Sequence, residues 1–271
     1  MRLTDAVLQQ CLYHASTGLS LDPARDFGLT LHPGDTRIKS VRDSLDRQQQ
    51  LLWANNGPAL LVWLQGPDCS GKDGVIRNCL RGLNPQGVRI SGFQKPTDSQ
   101  RQENFLERFR QQLPEPGMLS VFNRTPYESL VSDLADGYID DNQAAGRLQQ
   151  ILEFEAQLVQ KNIHLLKVYL HISKDEQKRR LQQRFANPEK HWKISAADLA
   201  GHQNFDAIQK NWNQAFRQSS TTSNPWHIVP ANNKPLRNLL FCSLIAQKFE
   251  TLNLQWPQPD LPFALEDLNR V

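Results

Sequence analysis

Cysteine is scarce in this chain of 271 residues: only Cys11, Cys69, Cys79 and Cys242 occur, with no C-x-x-C pair and no zinc spacing. That excludes a disulfide-dense scaffold and a recognisable zinc module. Four free thiols in a reducing compartment are expected, and with them a cytoplasmic location. Long apolar runs are missing too. The longest, 59–64, is far shorter than the roughly 20 residues that span a bilayer. The N-terminal MRLTDAVLQQCLYHA lacks the apolar centre of a signal peptide. A soluble protein with no membrane partner is expected. Neither sign of charge dominates, since the formal net charge is +3; a nucleic-acid partner is not expected from so modest an excess. Internal repeats and low-complexity tracts are absent. With 39% hydrophobic and 22% charged residues, the composition is that of an ordinary globular protein, either one α/β domain with additions or two small domains.

What is present is LLVWLQGPDCSGKDG at 60–74. An apolar run ends in Gly66, four residues intervene, and Gly71–Lys72 opens a helical segment. This is the arrangement of a phosphate-binding loop, whose backbone N–H groups and lysine face an anion. Gly66, Ser70, Gly71 and Gly74 are its candidate backbone positions and Lys72 its charge. The usual Ser/Thr after the lysine is replaced by Asp73, and a second acid, Asp68, lies inside the loop. Carboxylates beside phosphates are reasonable where Mg²⁺ lies between them. Asp73 is equally well explained as a first-turn acid favoured by the helix dipole.

Around this loop, apolar strands alternate with amphipathic helices. Strands are expected at 59–65, 88–93, 118–122, 164–172 and 226–230. Helices are expected at 73–83, 98–112, 143–162, 175–185, 196–218 and 234–252. Buried strands separated by helices indicate a parallel sheet covered on both faces, with the loop at the strands' carboxyl ends. Residues 1–57 read as a helical N-terminal extension, 58–252 as the core with a lid at about 174–195, and 253–271 as an extended tail.

Three further stretches carry chemistry. VFNRTPYE at 121–128 ends a strand beside the loop: Asn123 could hold a metal-bound water, and Arg124 could face the phosphates or pair with Glu128. KDEQKRRLQQR at 174–184 puts Arg180 and Arg184 one turn apart, as a phosphate-covering lid or a solvated face. In PEKHWKIS at 188–195, Trp192 could pack on a base or anchor the lid to the core, and the anchor is the favoured reading.

Taken in order, GPDCSGKDGVIR (66–77), LNPQGVRISGFQKPT (83–97), FLERF (105–109), FNRTPYE (122–128), LHISKDEQKRRLQQR (170–184), PEKHWKIS (188–195) and SSTTSNPWHIVPANNK (219–234) resemble the polyphosphate kinase 2 family. The resemblance implies a P-loop kinase-like three-layer sandwich with a five-stranded parallel sheet and a helical lid. The activity it implies is phosphoryl transfer between inorganic polyphosphate and a nucleoside mono- or diphosphate, with Mg²⁺ as cofactor and a homo-oligomeric state. Asp68, Lys72 and Arg124 would be catalytic, with Asp68 and Asn123 at the metal. Asp73, Arg77, Lys95, Arg108, Arg180 and Arg184 would join the loop in binding phosphate or polyphosphate. Departures occur at Asn104, Ser129 and Asn232, where the family often carries an acid. They motivate one alternative, a weakened relative that binds polyphosphate or nucleotide as a sensor or scaffold. Another alternative is an ATP-dependent kinase of a small metabolite.

Overall fold

In the computed structural model, which describes residues 2–258, 261–263 and 265–268, the apolar run becomes β1 (Ala59–Gln65), buried at every position. A strand apolar on both faces needs cover on both, and its place in the sheet supplies it. The sheet runs β2 (Val88–Gly92), β3 (Leu119–Asn123), β1, β4 (Ile163–His171), β5 (Trp226–Pro230), with every pairing parallel. The five expected strands are all observed, each within one residue of its expected ends.

Alternation along β1 divides the core. Leu60, Val62 and Leu64 face one apolar cluster, built with α1 (Asp5–Gln9), α2 (Thr36–Asn55), α3 (Lys72–Cys79) and α11 (Lys234–Glu250). Leu61 and Trp63 face the other, built with α5 (Glu107–Arg110), α6 (Glu128–Ala135), α7 (Asp141–Gln160) and α10 (Phe205–Ser219). The result is the expected three-layer α/β sandwich. Residues before β1 contribute to both clusters, through Leu8, Leu31, Val41 and Leu45 on one side and Tyr13 on the other. Helix α2 starts where the Asp35 side chain accepts the Arg37 N–H and stops at Asn56, which takes a left-handed conformation.

Local chemistry breaks two of the expected helices. The stretch 98–112 divides into α4 (Asp98–Gln102) and α5, because Glu103 is extended and the Asn104 side chain accepts the Leu106 N–H at 2.9 Å. The stretch 196–218 divides at Asn204 into α9 (Ala196–Gln203) and α10. Helix α8 (Lys174–Phe185) and a 3₁₀ turn at Pro188–Lys193 occupy the stretch 174–195 that is expected to be the lid, and α9 follows it. Of the expected extended tail, residues 253–258 carry no regular element, Leu265–Leu268 form the short α12, and 259, 260, 264 and 269–271 lie outside the described residues.

The cysteine expectation is corrected. Packing of α3 against α11 brings the Cα atoms of Cys79 and Cys242 to 5.5 Å, and the two are paired as a disulfide. Cys11 and Cys69 are free. No described helix is long and apolar enough to cross a membrane.

Two polar features lie in the interior. Lys167 of β4 points into the aromatic half of the core with no exposed surface. Its ammonium is 3.0 Å from Glu155 Oε2 and donates to the Ser219 carbonyl at 2.8 Å. Glu155 also accepts from the Tyr127 hydroxyl at 2.7 Å and the Asn224 amide at 2.6 Å. The second feature is two imidazoles, buried His171 and partly buried His227, each pushed down to about 4 by desolvation. Their folded-state values lie below the ordinary value of 6.5. The stability they contribute is therefore present above about pH 6.5 and lost as pH falls towards 4, by up to about 3 kcal/mol each. Urea midpoints measured between about pH 7 and pH 5 are expected to fall. His171→Gln should flatten that dependence, and an unchanged slope would exclude His171 as a source.

Candidate active site

The turn after β1 is built so that only its own residues fit. Gly66 has φ 153°, and a Cβ there would stand 2.8 Å from the Leu170 carbonyl and 2.7 Å from Ser70 Oγ. Gly71 has φ 97°, and a Cβ would run into the Arg237 guanidinium. The loop carbonyls are held from the protein side. Gln177 donates to the Asp68 carbonyl at 3.1 Å, and Arg180 to those of Cys69 and Ser70 at 2.9 and 3.1 Å. Arg237 adds a second bond to the Ser70 carbonyl at 3.1 Å. Lys72, at the start of α3, lays its ammonium on the Gly66 and Pro67 carbonyls at 2.6 and 3.2 Å. Burial lowers its pKa, an effect that Asp68 opposes.

Beside the loop, β3 ends at Asn123 and the chain turns through Arg124, whose φ of 80° is rare for a non-glycine residue. The conformation is over-determined. Arg124 donates its backbone N–H to the Leu64 carbonyl at 2.9 Å, and its guanidinium reaches Glu128 at 2.8 Å and Asp68 at 3.3 Å. Gln65 fixes Glu128 in turn, donating to it at 2.6 Å while accepting the Thr125 N–H at 3.1 Å. Glu128, and after it Asp68, strengthens the hold of Arg124 on its proton.

Two cavities meet at this arginine. One, of about 740 Å³, runs from the loop to the lid and is lined by Asp68, Lys72, Asp73, Arg77, Arg184, Lys190, Lys193 and Lys234, among others. The other, of about 450 Å³, is walled by Phe93, Phe105, Phe109, Pro126 and Tyr138, with polar groups between them. Phe93, Gln94 and Arg124 belong to both.

Of the residues singled out in the sequence, Gly71, Gly74, Asp68, Lys72, Asp73, Arg77, Asn123, Arg124, Arg180 and Arg184 come together at the basic cavity. Arg180 is buried and spends its donors on the loop carbonyls, on those of Ala231 and Asn232, and on Glu176. Arg184 binds Asp198 at 2.9 Å and donates to Cys69 Sγ at 2.8 Å. Lys95 and Arg108 line the aromatic cavity instead. Lys95 pairs with Asp136 at 2.6 Å, and Arg108 lies over the Phe93 and Phe109 rings. Asn104, Ser129 and Asn232 each hold a local backbone group, through Leu106 N, the Pro126 carbonyl and Ser173 N respectively. Trp192 does not anchor the lid; it is 77% exposed.

Gln65, Gln177, Lys193 and Arg237 have no loop motif of their own, and the sequence reading passed over them. Arg237 follows the PANNK string by two residues, and Lys193 sits next to Trp192; these were the available signals. Lys193 pairs with Asp73 at 2.9 Å and is the largest cause of that carboxyl's lowered pKa.

Whether the site suits a divalent cation can be judged from its oxygens. Asn123 donates to Asp73 at 3.0 Å, and its Oδ1 is buried without a hydrogen-bond partner among the described residues. No group of three or more His, Cys, Asp or Glu side chains among the described residues is placed to hold a metal by itself. One orphaned amide oxygen with two nearby carboxylates fits Mg²⁺, which is commonly held through one or two carboxylates and completes its shell with water and phosphate.

The sequence profile described as Polyphosphate kinase 2 (PPK2) matches residues 34–256. An AMP/ADP-polyphosphate phosphotransferase of Meiothermus ruber is 39% identical over 216 residues, 80% of this chain and 81% of that one. An ADP-polyphosphate phosphotransferase of Rhodopseudomonas palustris is 36% identical over 233 residues, 82% and 81% of the two chains. The crystal structure of polyphosphate kinase 2 from Arthrobacter aurescens TC1 superposes with a TM-score of 0.91 at 33% identity, covering 97% of this chain and 95% of that one. With the family profile spanning most of its length and these relatives 33% to 39% identical to it over the matched regions, this chain belongs to the polyphosphate kinase 2 family.

Proposed function

We propose that this protein is a polyphosphate-dependent nucleotide phosphotransferase, moving a phosphoryl group between inorganic polyphosphate and a nucleoside mono- or diphosphate. One observation carries the reading: a basic cavity containing the phosphate loop and an aromatic cavity of nucleoside size meet at Arg124. A polyanion suits the first, and a base with its sugar suits the second. The names of the Meiothermus and Rhodopseudomonas relatives support the same substrates.

In this reading the donor chain lies along the loop, Arg77, Lys190 and Lys234. The acceptor's terminal phosphate oxygen approaches from the aromatic side. That oxygen is already ionised at neutral pH, so no general base is needed, and the barrier is lowered by positioning and charge neutralisation. Arg124, pinned between Glu128 and Asp68, faces the transferred group at the junction of the cavities. Lys72 leaves its loop carbonyls for the phosphate oxygens. Arg180 and Arg237 keep the loop carbonyls turned away from the anion. Asp68, Asn123 and Asp73 would hold Mg²⁺, which when bound supplies further neutralisation of phosphate charge. Residues 58–252 would form the kinase core, with the lid at 174–195 closing over the donor. A homo-oligomeric enzyme fits the resemblance; a cytoplasmic location is expected from four free thiols, a basis that the Cys79–Cys242 disulfide removes.

The test is turnover by purified protein with polyphosphate, Mg²⁺ and a panel of AMP, ADP, GMP and GDP. Polyphosphate-dependent formation of the next higher nucleotide is expected. The KM for polyphosphate should rise with salt, since exposed cationic contacts are screened. Binding without turnover for every nucleotide would reject the reading in favour of a sensor.

A further inference from the structure

The lid carries a side chain that an inorganic polyanion has no use for. Trp192 lines the basic cavity, yet 77% of its surface is exposed. Its position is well defined. The 3₁₀ turn at Pro188–Lys193 is capped by Asn187, whose side chain accepts the Glu189 N–H at 3.0 Å. The turn is clipped to α8 by His191, whose ring nitrogen is 2.7 Å from the Phe185 carbonyl. Lys193 covers one face of the indole, with its ammonium 4.8 Å from the ring centroid. The same ammonium is 2.9 Å from Asp73 in the first turn of α3. A single ammonium therefore separates the indole from the phosphate loop, and the other indole face is open.

We propose that the basic cavity accepts a second class of donor, a nucleoside triphosphate whose base stacks on Trp192 and whose terminal phosphate reaches the loop at 66–74. The proposal rests on the donor and acceptor cavities being assigned as above. An exposed indole costs apolar hydration and gives a phosphate chain nothing, whereas every nucleobase has a face that stacks on it. Lys190 and Lys193 line the same cavity as the ring and supply positive charge for the phosphates that follow the sugar. The cavity volume of about 740 Å³ lies within the range of small-molecule sites.

The reaction balances without another reactant. The bond between the γ-phosphorus of the donor and its β,γ-bridging oxygen breaks, and the oxygen and the electron pair stay with the departing nucleoside diphosphate. A terminal oxygen of the acceptor nucleotide forms the new bond to the γ-phosphorus. The total charge of the substrates equals that of the products, so no proton is gained or lost overall.

The experiment uses the full chain with Mg²⁺ and an acceptor nucleotide. Donors are either polyphosphate or ATP labelled at the γ-phosphorus, and label transferred to the acceptor is measured. Transfer from ATP without polyphosphate is expected. Trp192→Ala should lower the ratio of ATP-supported to polyphosphate-supported kcat/KM by at least about fivefold, the low end of base–aromatic stacking, and Trp192→Phe should restore most of it. Polyphosphate turnover without any ATP-supported transfer would overturn this inference and leave the function intact. A ratio unchanged in Trp192→Ala would also overturn it. Failure of both donors would reject the function on which it rests.

Discussion

Lys72→Ala is expected to lower polyphosphate-dependent turnover by at least about 10²-fold while leaving the fold in place. The estimate follows from the role of a fixed donor beside developing phosphate charge, where removing one group costs roughly 10²–10³ in kcat. Lys72 is the cation nearest the loop backbone, with its ammonium on the Gly66 and Pro67 carbonyls. The loop does not depend on it for shape. Gln177, Arg180 and Arg237 hold the carbonyls at 68–70 independently. Asp68→Asn should produce a loss of similar size by a different route. It keeps an oxygen for Arg124 but removes a charge, so its residual activity should respond more weakly to Mg²⁺. The two variants are separated from general damage by thermal denaturation, in which midpoints within a few degrees of the parent are expected. Lys72→Ala with more than a tenth of the parent kcat would refute the assignment of the loop lysine.

The second large effect is on stability. Lys167→Ala or Glu155→Ala should each cost about 3–5 kcal/mol, because either leaves a buried charge without its partner. Burial pulls both groups towards their neutral forms, raising the carboxyl and lowering the ammonium. What resists it is the set of donors converging on Glu155 from Tyr127, Asn224 and Lys167. In a chain of this size the loss corresponds to a midpoint lower by on the order of 10 °C. The double variant Lys167→Met with Glu155→Leu should recover much of it, since an apolar pair of similar volume avoids desolvating two charges. If each single variant unfolds at the parent temperature, the pair contributes nothing that water could not. Tyr127 lies three residues from Arg124, so Glu155→Ala should also reduce turnover at temperatures where the protein remains folded.

Most of the sheet was legible because its signals are local. Runs such as ALLVWLQ and HLLKVYLH are short, apolar and bounded by turn residues, and they became β1 and β4 nearly as bounded. The helices were legible where they are long or, as with α3, where a loop motif marks their start. Nothing in the sequence reading marks α6, since ESLVSDLA is brief and follows Pro126–Tyr127 without a capping side chain. The breaks at Glu103 and Asn204 depend on one or two residues each. The candidate site divides in the same way. Gly66, Lys72 and Arg124 sit in strings whose spacing marks the loop and the strand end beside it. Gln65, Gln177 and Arg237 act by reaching the loop or its neighbour from residues adjacent in space, and spacing cannot show that. The disulfide is a similar case: Cys79 and Cys242 are 163 residues apart and meet only because α3 packs on α11. Trp192 was misjudged because an aromatic residue in an amphipathic segment is more often buried, and the 3₁₀ turn points this one outward.

The shared boundary of the two cavities has a kinetic meaning. With donor and acceptor placed as proposed in the two spaces that Arg124, Phe93 and Gln94 both border, neither must leave before the other enters. Direct transfer through a ternary complex follows, without a phosphorylated enzyme between half-reactions. Initial rates measured against both substrates should then give intersecting double-reciprocal lines. Each product should compete with the substrate that fills the same space.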